Sequence, residues 1–272
     1  MQKILFSDID GTLLDKNRNI SSETYEAYQS IRHQADLVLI SSRMPKAMTY
    51  FQTALQNETM PLVCYNGGLV LKNGLSDYLN TKNILLDILI STTTVRLINE
   101  YLEQFSVNFS VYEYDNWYTT KNDYWTQREE NNTRAKATVV SPNFFKNQKV
   151  NAHKIMIMGK KVEIDEIYSY LEKEFPQVDL YRAKDTYIEV ASHETSKGKG
   201  VNIVLNQVYS NIAKEDTFGF GDNYNDVPLF EAVGFCVAMG NARPELKAIA
   251  NAVTLTNKEH GVARFLNEYF KL

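Results

Sequence analysis

The stretch Asp8-Ile9-Asp10-Gly11-Thr12-Leu13-Leu14 decides how this chain folds. It follows the apolar run Ile4 to Phe6, a pattern typical of a buried parallel strand that ends in a loop. Asp8 and Asp10 are two residues apart, so in an extended chain both carboxylates point into the crevice at the end of the strand. An Asx turn would explain one Asp-Gly pair, but not the whole seven-residue string. Two crowded carboxylates also require a compensating cation.

Strands and helices alternate at both ends of the chain. The predicted strands are Leu37–Ile40, Leu62–Tyr65, Thr217–Phe220, Cys236–Met239 and Val253–Leu255, and the predicted helices begin at Ser21 or Ser22, at Pro45, before Val201, at Pro244 and before Val262. This alternation predicts an α/β fold, in which helices cover both faces of a central parallel sheet and the ligand site lies at the carboxyl ends of the strands. We also expect a hairpin turn at Asn73-Gly74.

The middle of the chain has a different pattern. An aromatic-rich strand pair, Val107 to Tyr112 and Trp117 to Thr119, follows a predicted helix, and a further strand, an amphipathic helix and a closing strand come after it. This order predicts an α+β domain, residues 84–191, inserted into a core domain formed by residues 1–83 and 192–272.

Composition excludes several classes of protein. The chain has 272 residues and a net charge of -4, which argues against a general nucleic-acid-binding surface. Cys64 and Cys236 both have apolar neighbours, so neither a disulfide nor a metal-thiolate site is expected. The N-terminal stretch reaches Asp8 too early for a signal peptide, and no apolar run approaches the length of a membrane span. We therefore expect a cytoplasmic monomer or weak homo-oligomer without membrane contact.

Further motifs follow in order along the chain. They are Ile40-Ser41-Ser42-Arg43, Asn66-Gly67-Gly68, Lys197-Gly198, Gly221-Asp222-Asn223-Tyr224-Asn225-Asp226, Met239-Gly240-Asn241-Ala242 and Gly261-Val262-Ala263. Together with the string at Asp8, they resemble the haloacid dehalogenase superfamily of phosphatases, and in particular its Cof-type subfamily of class IIB with an inserted C2B cap. The resemblance covers both halves of the core, whereas the insert is similar only in position, size and element order.

The resemblance implies a Rossmann-like core and a Mg²⁺-dependent phosphatase acting on small phosphorylated metabolites such as sugar phosphates. Asp8 would be the nucleophile that forms an aspartyl-phosphate, Asp10 the general acid and base, and Lys197 a cation for the phosphoryl oxygens. Asp8, Asp222 and the main-chain carbonyl of Asp10 would hold Mg²⁺. The remaining assignments are Ser41, Ser42, Arg43, Asn66 and Asn225 for phosphate or substrate binding, with Asp226 orienting Lys197 and the metal ligands.

Other interpretations remain open at the level of sequence. The same aspartyl-phosphate chemistry would serve a phosphomutase or phosphotransferase, and the fold would also suit a metabolite-binding regulator with little turnover. A lone lysine is usually a solvated surface group, and an Asn/Asp loop often only caps a helix. Ser42 stands where the subfamily usually has Gly, so the loop would differ if that position requires a positive φ.

Overall fold

The computed structural model describes residues 2–270 and divides them into two compact units. One unit consists of the described residues up to Leu86 together with those from Ser196 onward, and the other spans Asp87–Thr195. Both bounds of the second unit fall a few residues after those predicted for the insert; at the first bound, the strand that begins at Ile84 belongs to the first unit's sheet.

The chain forms strands and helices in alternation over much of its length. The strands are β1 (Lys3–Ser7), β2 (Ala35–Ile40), β3 (Leu62–Cys64), β4 (Leu69–Leu71), β5 (Ile84–Asp87), β6 (Asn108–Glu113), β7 (Asn116–Thr119), β8 (Thr138–Val139), β9 (Lys154–Met158), β10 (Val178–Lys184), β11 (Tyr187–Ser192), β12 (Thr217–Gly221), β13 (Phe235–Ala238) and β14 (Ala252–Val253). The helices are α1 (Ser22–Ile31), α2 (Pro45–Leu55), α3 (Thr92–Leu102), α4 (Tyr124–Thr133), α5 (Phe144–Asn147), α6 (Lys161–Glu174), α7 (Lys197–Gln207), α8 (Val227–Ala232), α9 (Pro244–Ala248) and α10 (Gly261–Tyr269).

The first unit contains an eight-stranded sheet in the order β14-β13-β12-β1-β2-β3-β4-β5. The pairs from β14 to β3 are parallel, and β3 with β4 is antiparallel. β1 lies inside the sheet, and Ile4, Leu5 and Phe6 have no exposed surface, as expected for a continuous apolar run covered on both faces. The predicted α/β class is confirmed. Because the strands are parallel, the polar residues that follow β1, β2 and β12 meet at one edge.

The prediction of a tight hairpin turn at Asn73-Gly74 is wrong. The tight turn of the antiparallel pair lies between β3 and β4, where Tyr65, Asn66 and Gly67 have φ values of 52°, 53° and 92°. Asn and Gly tolerate this left-handed conformation, so the turn uses the Asn-Gly pair at 66–67. Asn73-Gly74 instead lies in the longer connection between β4 and β5.

The second unit contains a six-stranded sheet in the order β10-β11-β9-β6-β7-β8. Its pairs are antiparallel except for β7 with β8, and the predicted pairing of β6 with β7 is confirmed. Apolar faces of α3 and α6 pack on the sheet through residues such as Ile98 and Ile167. The sequence prediction missed α4, whose residues are mostly polar, and β10, in which charged residues interrupt the apolar alternation.

Candidate active site

The turn after β1 places Asp8 at the carboxyl end of the sheet. The backbone N–H of Asp8 donates to the carbonyl oxygen of Phe220 at 3.0 Å, which continues the pairing of β1 with β12 by one residue. Gly11 then takes a φ of 83° and reverses the chain. A Cβ at this position would overlap the carboxylate of Asp222, so the glycine permits the close approach of the loop after β12.

Lys197 joins the first acidic motif to the second. Its ammonium donates to Oδ1 of Asp8 and to Oδ1 of Asp226, each at 2.5 Å, and the lysine side chain is fully buried. The side chain starts from the first residue of α7, whose N-cap is Ser196; the Ser196 hydroxyl accepts the N–H of Lys199 at 3.1 Å. The lysine is therefore a buried ion-pair partner of two carboxylates, not a solvated surface group.

Asp226 is fully engaged by groups of the protein itself. While Oδ1 accepts from Lys197, Oδ2 accepts the backbone N–H groups of Asp222 and Asn223 at 2.9 and 3.0 Å. These bonds form the turn that leads into α8. Asp226 thus orients Lys197 and the loop that carries Asp222.

Asp222 lies beside Asp8 and is held by neutral donors. The hydroxyl of Thr12 donates to Oδ1 at 3.2 Å, and Nδ2 of Asn241 lies 3.5 Å from Oδ2 while donating to the carbonyl of Gly11 at 2.8 Å. Carboxylate oxygens of Asp8, Asp222 and Asp226 all lie within 4.8 Å of one another. The sheet edge therefore gathers three carboxylates into one small volume.

The electrostatics of this group favour a further cation. Burial raises the pKa of Asp8 well above its usual range against the opposing charge of Lys197, and the carboxylates of Asp226 and Asp222 add to the rise. Burial and the charge of Asp226 raise the pKa of Asp222 to about 7. Burial opposes the charged form of Lys197, but Asp226 and Asp8 outweigh it and raise the pKa of the lysine. Negative charge exceeds positive charge here, and oxygen donors of this kind suit Mg²⁺.

The carboxylate of Asp10 forms ion pairs with two arginines. Its carboxylate accepts from Nε and Nη2 of Arg43 at 2.6 and 2.8 Å, and from Nη2 of Arg18 at 2.8 Å. Burial opposes ionisation of Asp10, but the hydrogen bonds and charge of Arg43, with help from Arg18, lower its pKa. Arg43 itself is buried, and its guanidinium lies over the ring of Phe51 at 5.4 Å from the ring centre. The arginine assigned to phosphate binding thus holds the second aspartate.

Ser41 and Ser42 follow β2 at the same edge of the sheet. Ser41 is buried, and its Oγ accepts the backbone N–H of Arg43 at 3.3 Å. A hydroxyl that accepts one hydrogen bond can still donate its own hydrogen to an anion. Ser42 is not among the residues with positive φ, so its backbone does not need the glycine that usually stands there.

Asn66 and Asn225 contact each other. Nδ2 of Asn225 donates to Oδ1 of Asn66 at 3.1 Å, which ties the turn after β3 to the second acidic motif. The neighbouring Gly67 approaches the start of α7 so closely that a Cβ would overlap the carbonyl oxygen of Ser196. This turn therefore supports the position of Lys197.

Three residues at the site were not among the sequence assignments: Thr12, Arg18 and Asn241. Thr12 and Asn241 lie inside motifs quoted above, so their position next to acidic residues was a usable signal. No sequence signal identifies Arg18, because it lies several residues after the string that begins at Asp8. It reaches Asp10 only because the chain turns at Arg18 itself, which has a φ of 59°.

Comparison with known proteins fits this geometry. The sequence pattern of the haloacid dehalogenase-like hydrolases matches residues 5–266. The chain belongs to this family. Within it, the ordered motifs and the inserted α+β unit are those of a Cof-type haloacid dehalogenase phosphatase, so the chain is a phosphatase hydrolase.

Several relatives of this haloacid dehalogenase phosphatase match over nearly their whole length. A Haemophilus influenzae protein is 32% identical over 99% of both chains. The Bacillus subtilis 5-amino-6-(5-phospho-D-ribitylamino)uracil phosphatase YitU is 30% identical, covering 97% of this chain and 96% of its own. A crystal structure from Thermotoga maritima superposes with a TM-score of 0.86 at 27% identity, covering 98% of this chain and 97% of that one.

Among the helices within residues 2–270, none combines the length and the apolar character that crossing a membrane requires.

Proposed function

We propose that this phosphatase is Mg²⁺-dependent and hydrolyses phosphate monoesters through an aspartyl-phosphate on Asp8. The observation that carries the proposal is the excess of carboxylates over ammonium charge at Asp8, Asp222, Asp226 and Lys197. Asp8 and Asp222 would hold the metal, together with the main-chain carbonyl of Asp10, because both oxygens of Asp226 already accept other hydrogen bonds. When bound, Mg²⁺ supplies positive charge that offsets these carboxylates and the phosphate.

Asp8 would act as the nucleophile. Oδ1 of Asp8 accepts from Lys197 and would also bind the metal, and Oδ2 would attack phosphorus. The new bond joins this oxygen to phosphorus while the ester bond breaks and the leaving oxygen takes a proton. Water then attacks the aspartyl-phosphate, and phosphate leaves with Asp8 regenerated. Lys197 neutralises charge on the carboxylate and on the phosphoryl oxygens during both steps.

Asp10 supplies and removes the protons. In its ion pair with Arg43 and Arg18 it is ionised, which is the form that accepts a proton from the attacking water. To donate a proton to the leaving group, Asp10 must first be protonated, so its pairing with Arg43 must weaken when the substrate binds. The negative phosphate provides a competing partner for the guanidinium.

The remaining polar groups would bind the phosphate and the rest of the substrate. The Ser41 hydroxyl has its own hydrogen to donate, and Ser42, Arg43, Asn66 and Asn225 follow strands that end at the same edge.

The substrate class is a small phosphorylated metabolite, such as a sugar phosphate or a similar monoester. Support comes from the Bacillus subtilis relative YitU, which is named as a phosphatase of a phosphorylated ribitylamino-uracil. We propose further that the insert, residues 84–191, acts as the cap that sets the substrate range. A cytoplasmic location remains a prediction.

Phosphate release tests the proposal. The purified chain would be assayed on p-nitrophenyl phosphate and a panel of metabolite monoesters, with Mg²⁺ and with a chelator. Asp185→Asn, which changes an exposed carboxylate outside the acidic cluster, would serve as the control for substitutions within that cluster. The proposal predicts metal-dependent release by both proteins. Substrate isomerisation without free phosphate would instead indicate a mutase, and saturable binding without turnover of any ester would indicate a regulator.

A further inference from the structure

The side-chain amide of Asn241 joins three loops at the carboxyl edge of the first unit's sheet. Its Nδ2 donates to the carbonyl oxygen of Gly11 at 2.8 Å and lies 3.5 Å from Oδ2 of Asp222. Its Oδ1 accepts the backbone N–H of Asn257 at 2.9 Å. Because a backbone N–H only donates and a backbone carbonyl only accepts, these two partners fix the orientation of the amide. One side chain thus connects the segments that follow β1, β12 and β14.

Backbone hydrogen bonds anchor the segment that carries this amide. The N–H of Met239 donates to the carbonyl oxygen of Gly221, and the N–H of Arg243 donates to that of Asp222, both at 3.0 Å. The chain is therefore attached to the loop after β12 on both sides of Asn241. This attachment places the amide where it can act on the carboxylate of Asp222.

Asp222 differs from Asp226 in the groups that hold its carboxylate. Asp226 accepts the ammonium of Lys197 and two backbone N–H groups, so its charge is already offset. Asp222 is contacted on Oδ1 by the hydroxyl of Thr12 at 3.2 Å and on Oδ2 by the amide of Asn241. Neutral donors orient a carboxylate but leave its negative charge for a cation, and each oxygen keeps a further lone pair. This is the arrangement expected for a metal ligand.

The same amide also fixes the chain next to the main-chain oxygen that we propose as a metal ligand. That oxygen belongs to Asp10, and the next residue, Gly11, has φ 83° and ψ -4°. Glycine is conformationally free, so the contacts of its peptide groups decide which torsions it adopts. The hydrogen bond from Asn241 to the Gly11 carbonyl restricts this freedom. Asn241 therefore acts on the surroundings of two of the proposed ligands.

We propose that Asn241 is a positioning residue for the metal site, whose amide holds Asp222 and the loop after β1 at the spacing that Mg²⁺ requires. Mg²⁺ demands near-octahedral geometry with bonds of about 2.0–2.1 Å, whereas Ca²⁺ accepts variable geometry with bonds of about 2.3–2.6 Å. Loosening the ligands should therefore weaken the binding of Mg²⁺ more than that of Ca²⁺. This inference rests on the Mg²⁺ site proposed above.

Calorimetric titration of the metal-free full chain with Mg²⁺ and, separately, with Ca²⁺ tests the inference without measuring turnover. Asn241→Ala removes the hydrogen bonds of the amide and, because the residue is exposed, opens no cavity in the core. We expect the Kd for Mg²⁺ to rise at least about tenfold and the Kd for Ca²⁺ less than about threefold. Asn241→Leu, which has a side chain of similar size without the amide, should show the same pattern.

Asn257→Ala is the matched control. Its Nδ2 donates to the carbonyl oxygen of Leu14 at 2.7 Å, so this variant loosens the same loops while its backbone N–H still donates to Asn241. Both Kd values should stay within about twofold of those of the natural chain. Thermal unfolding in chelator sets a titration temperature at which every variant is folded.

Three results would overturn the positioning role. They are an unchanged Mg²⁺ affinity in Asn241→Ala, an equal loss of affinity for both cations in that variant, and an equal loss of Mg²⁺ affinity in Asn257→Ala. Each leaves the Mg²⁺ site of the natural chain in place. A natural chain that shows no saturable binding up to about 20 mM Mg²⁺ would instead contradict the proposed site itself, and the inference with it.

Discussion

The ammonium nitrogen of Lys197 lies 2.5 Å from Oδ1 of Asp226, and neither side chain has exposed surface. The same ammonium contacts Asp8, which lies 189 residues earlier in the sequence, so one buried cation links the first acidic motif to the second. Asp226 fixes this cation and, through its other oxygen, the backbone of the loop that carries Asp222.

Lys197→Met should abolish turnover and destabilise the fold. The change leaves the carboxylates of Asp8 and Asp226 buried without their cation, and breaking a buried ion pair in this way costs about 3–5 kcal/mol. Urea unfolding measures the loss. Lys199→Met, in the same helix, is the matched control and should change the free energy of unfolding by less than about 1 kcal/mol. Equal stability of both variants would disprove the buried role of Lys197.

Asp222→Asn should change how stability depends on pH in the absence of divalent cations. The pKa of Asp222 rises from 3.8 to about 7 on folding, so the folded state retains a proton that the unfolded state releases. The free energy of unfolding of the natural chain therefore falls as pH rises between these two values. The variant lacks this titration, so its free energy of unfolding should rise relative to that of the natural chain as the pH increases toward about 8.

Chelator and Mg²⁺ titrations complete that experiment. Mg²⁺ should raise the melting temperature of the natural chain above neutral pH, because it offsets the ionised carboxylates, and should raise that of Asp222→Asn much less. Parallel pH profiles of the two proteins would show that Asp222 keeps an ordinary pKa.

Asp10→Asn should affect substrates according to their leaving groups. An alkyl phosphate needs a proton on its leaving oxygen, so we expect kcat/KM to fall by about 10²–10⁴-fold for this class. The nitrophenolate of p-nitrophenyl phosphate leaves without a proton, and formation of the aspartyl-phosphate from it should be much less affected in single-turnover measurements. Equal losses for both substrates would mean that Asp10 does not act as the general acid.

Gly67→Ala should destabilise the turn that supports α7. The glycine has a φ of 92°, and a Cβ would overlap the carbonyl oxygen of Ser196, the N-cap of the helix that begins at Lys197. We expect a loss of about 1–3 kcal/mol in urea unfolding together with reduced kcat. Gly68→Ala is the comparison, since its φ of -71° suits any residue, and it should cost less. A smaller loss for Gly67→Ala than for Gly68→Ala would be inconsistent with this account.

Much of the first unit could be predicted from sequence, because parallel strands buried on both faces appear as short apolar runs and their polar ends meet at one edge. Ser21 shows how local signals succeed: its side chain accepts the N–H of Thr24 and caps α1 as its position predicts. Asn73-Gly74 shows how they fail, since the tight turn forms at the other Asn-Gly pair, 66–67, and Asn73-Gly74 lies in the longer connection between β4 and β5.

Contacts between distant segments could not be predicted. The sequence places Asp8 and Asp10 on one side of an extended strand, but the turn at Gly11 and the guanidinium of Arg43 draw Asp10 to the arginines. Arg18 likewise becomes informative only when its surroundings are known, because neither spacing nor composition specifies what a single polar side chain faces.

Acid quenching during turnover, followed by mass analysis of the peptide that contains Asp8, tests the central claim most directly. With Mg²⁺ and a good substrate, the natural chain should carry one phosphoryl group on this aspartate, and Asp8→Asn, which keeps the shape but removes the nucleophile, should carry none and release no phosphate. Full phosphate release by well-folded Asp8→Asn would contradict the account.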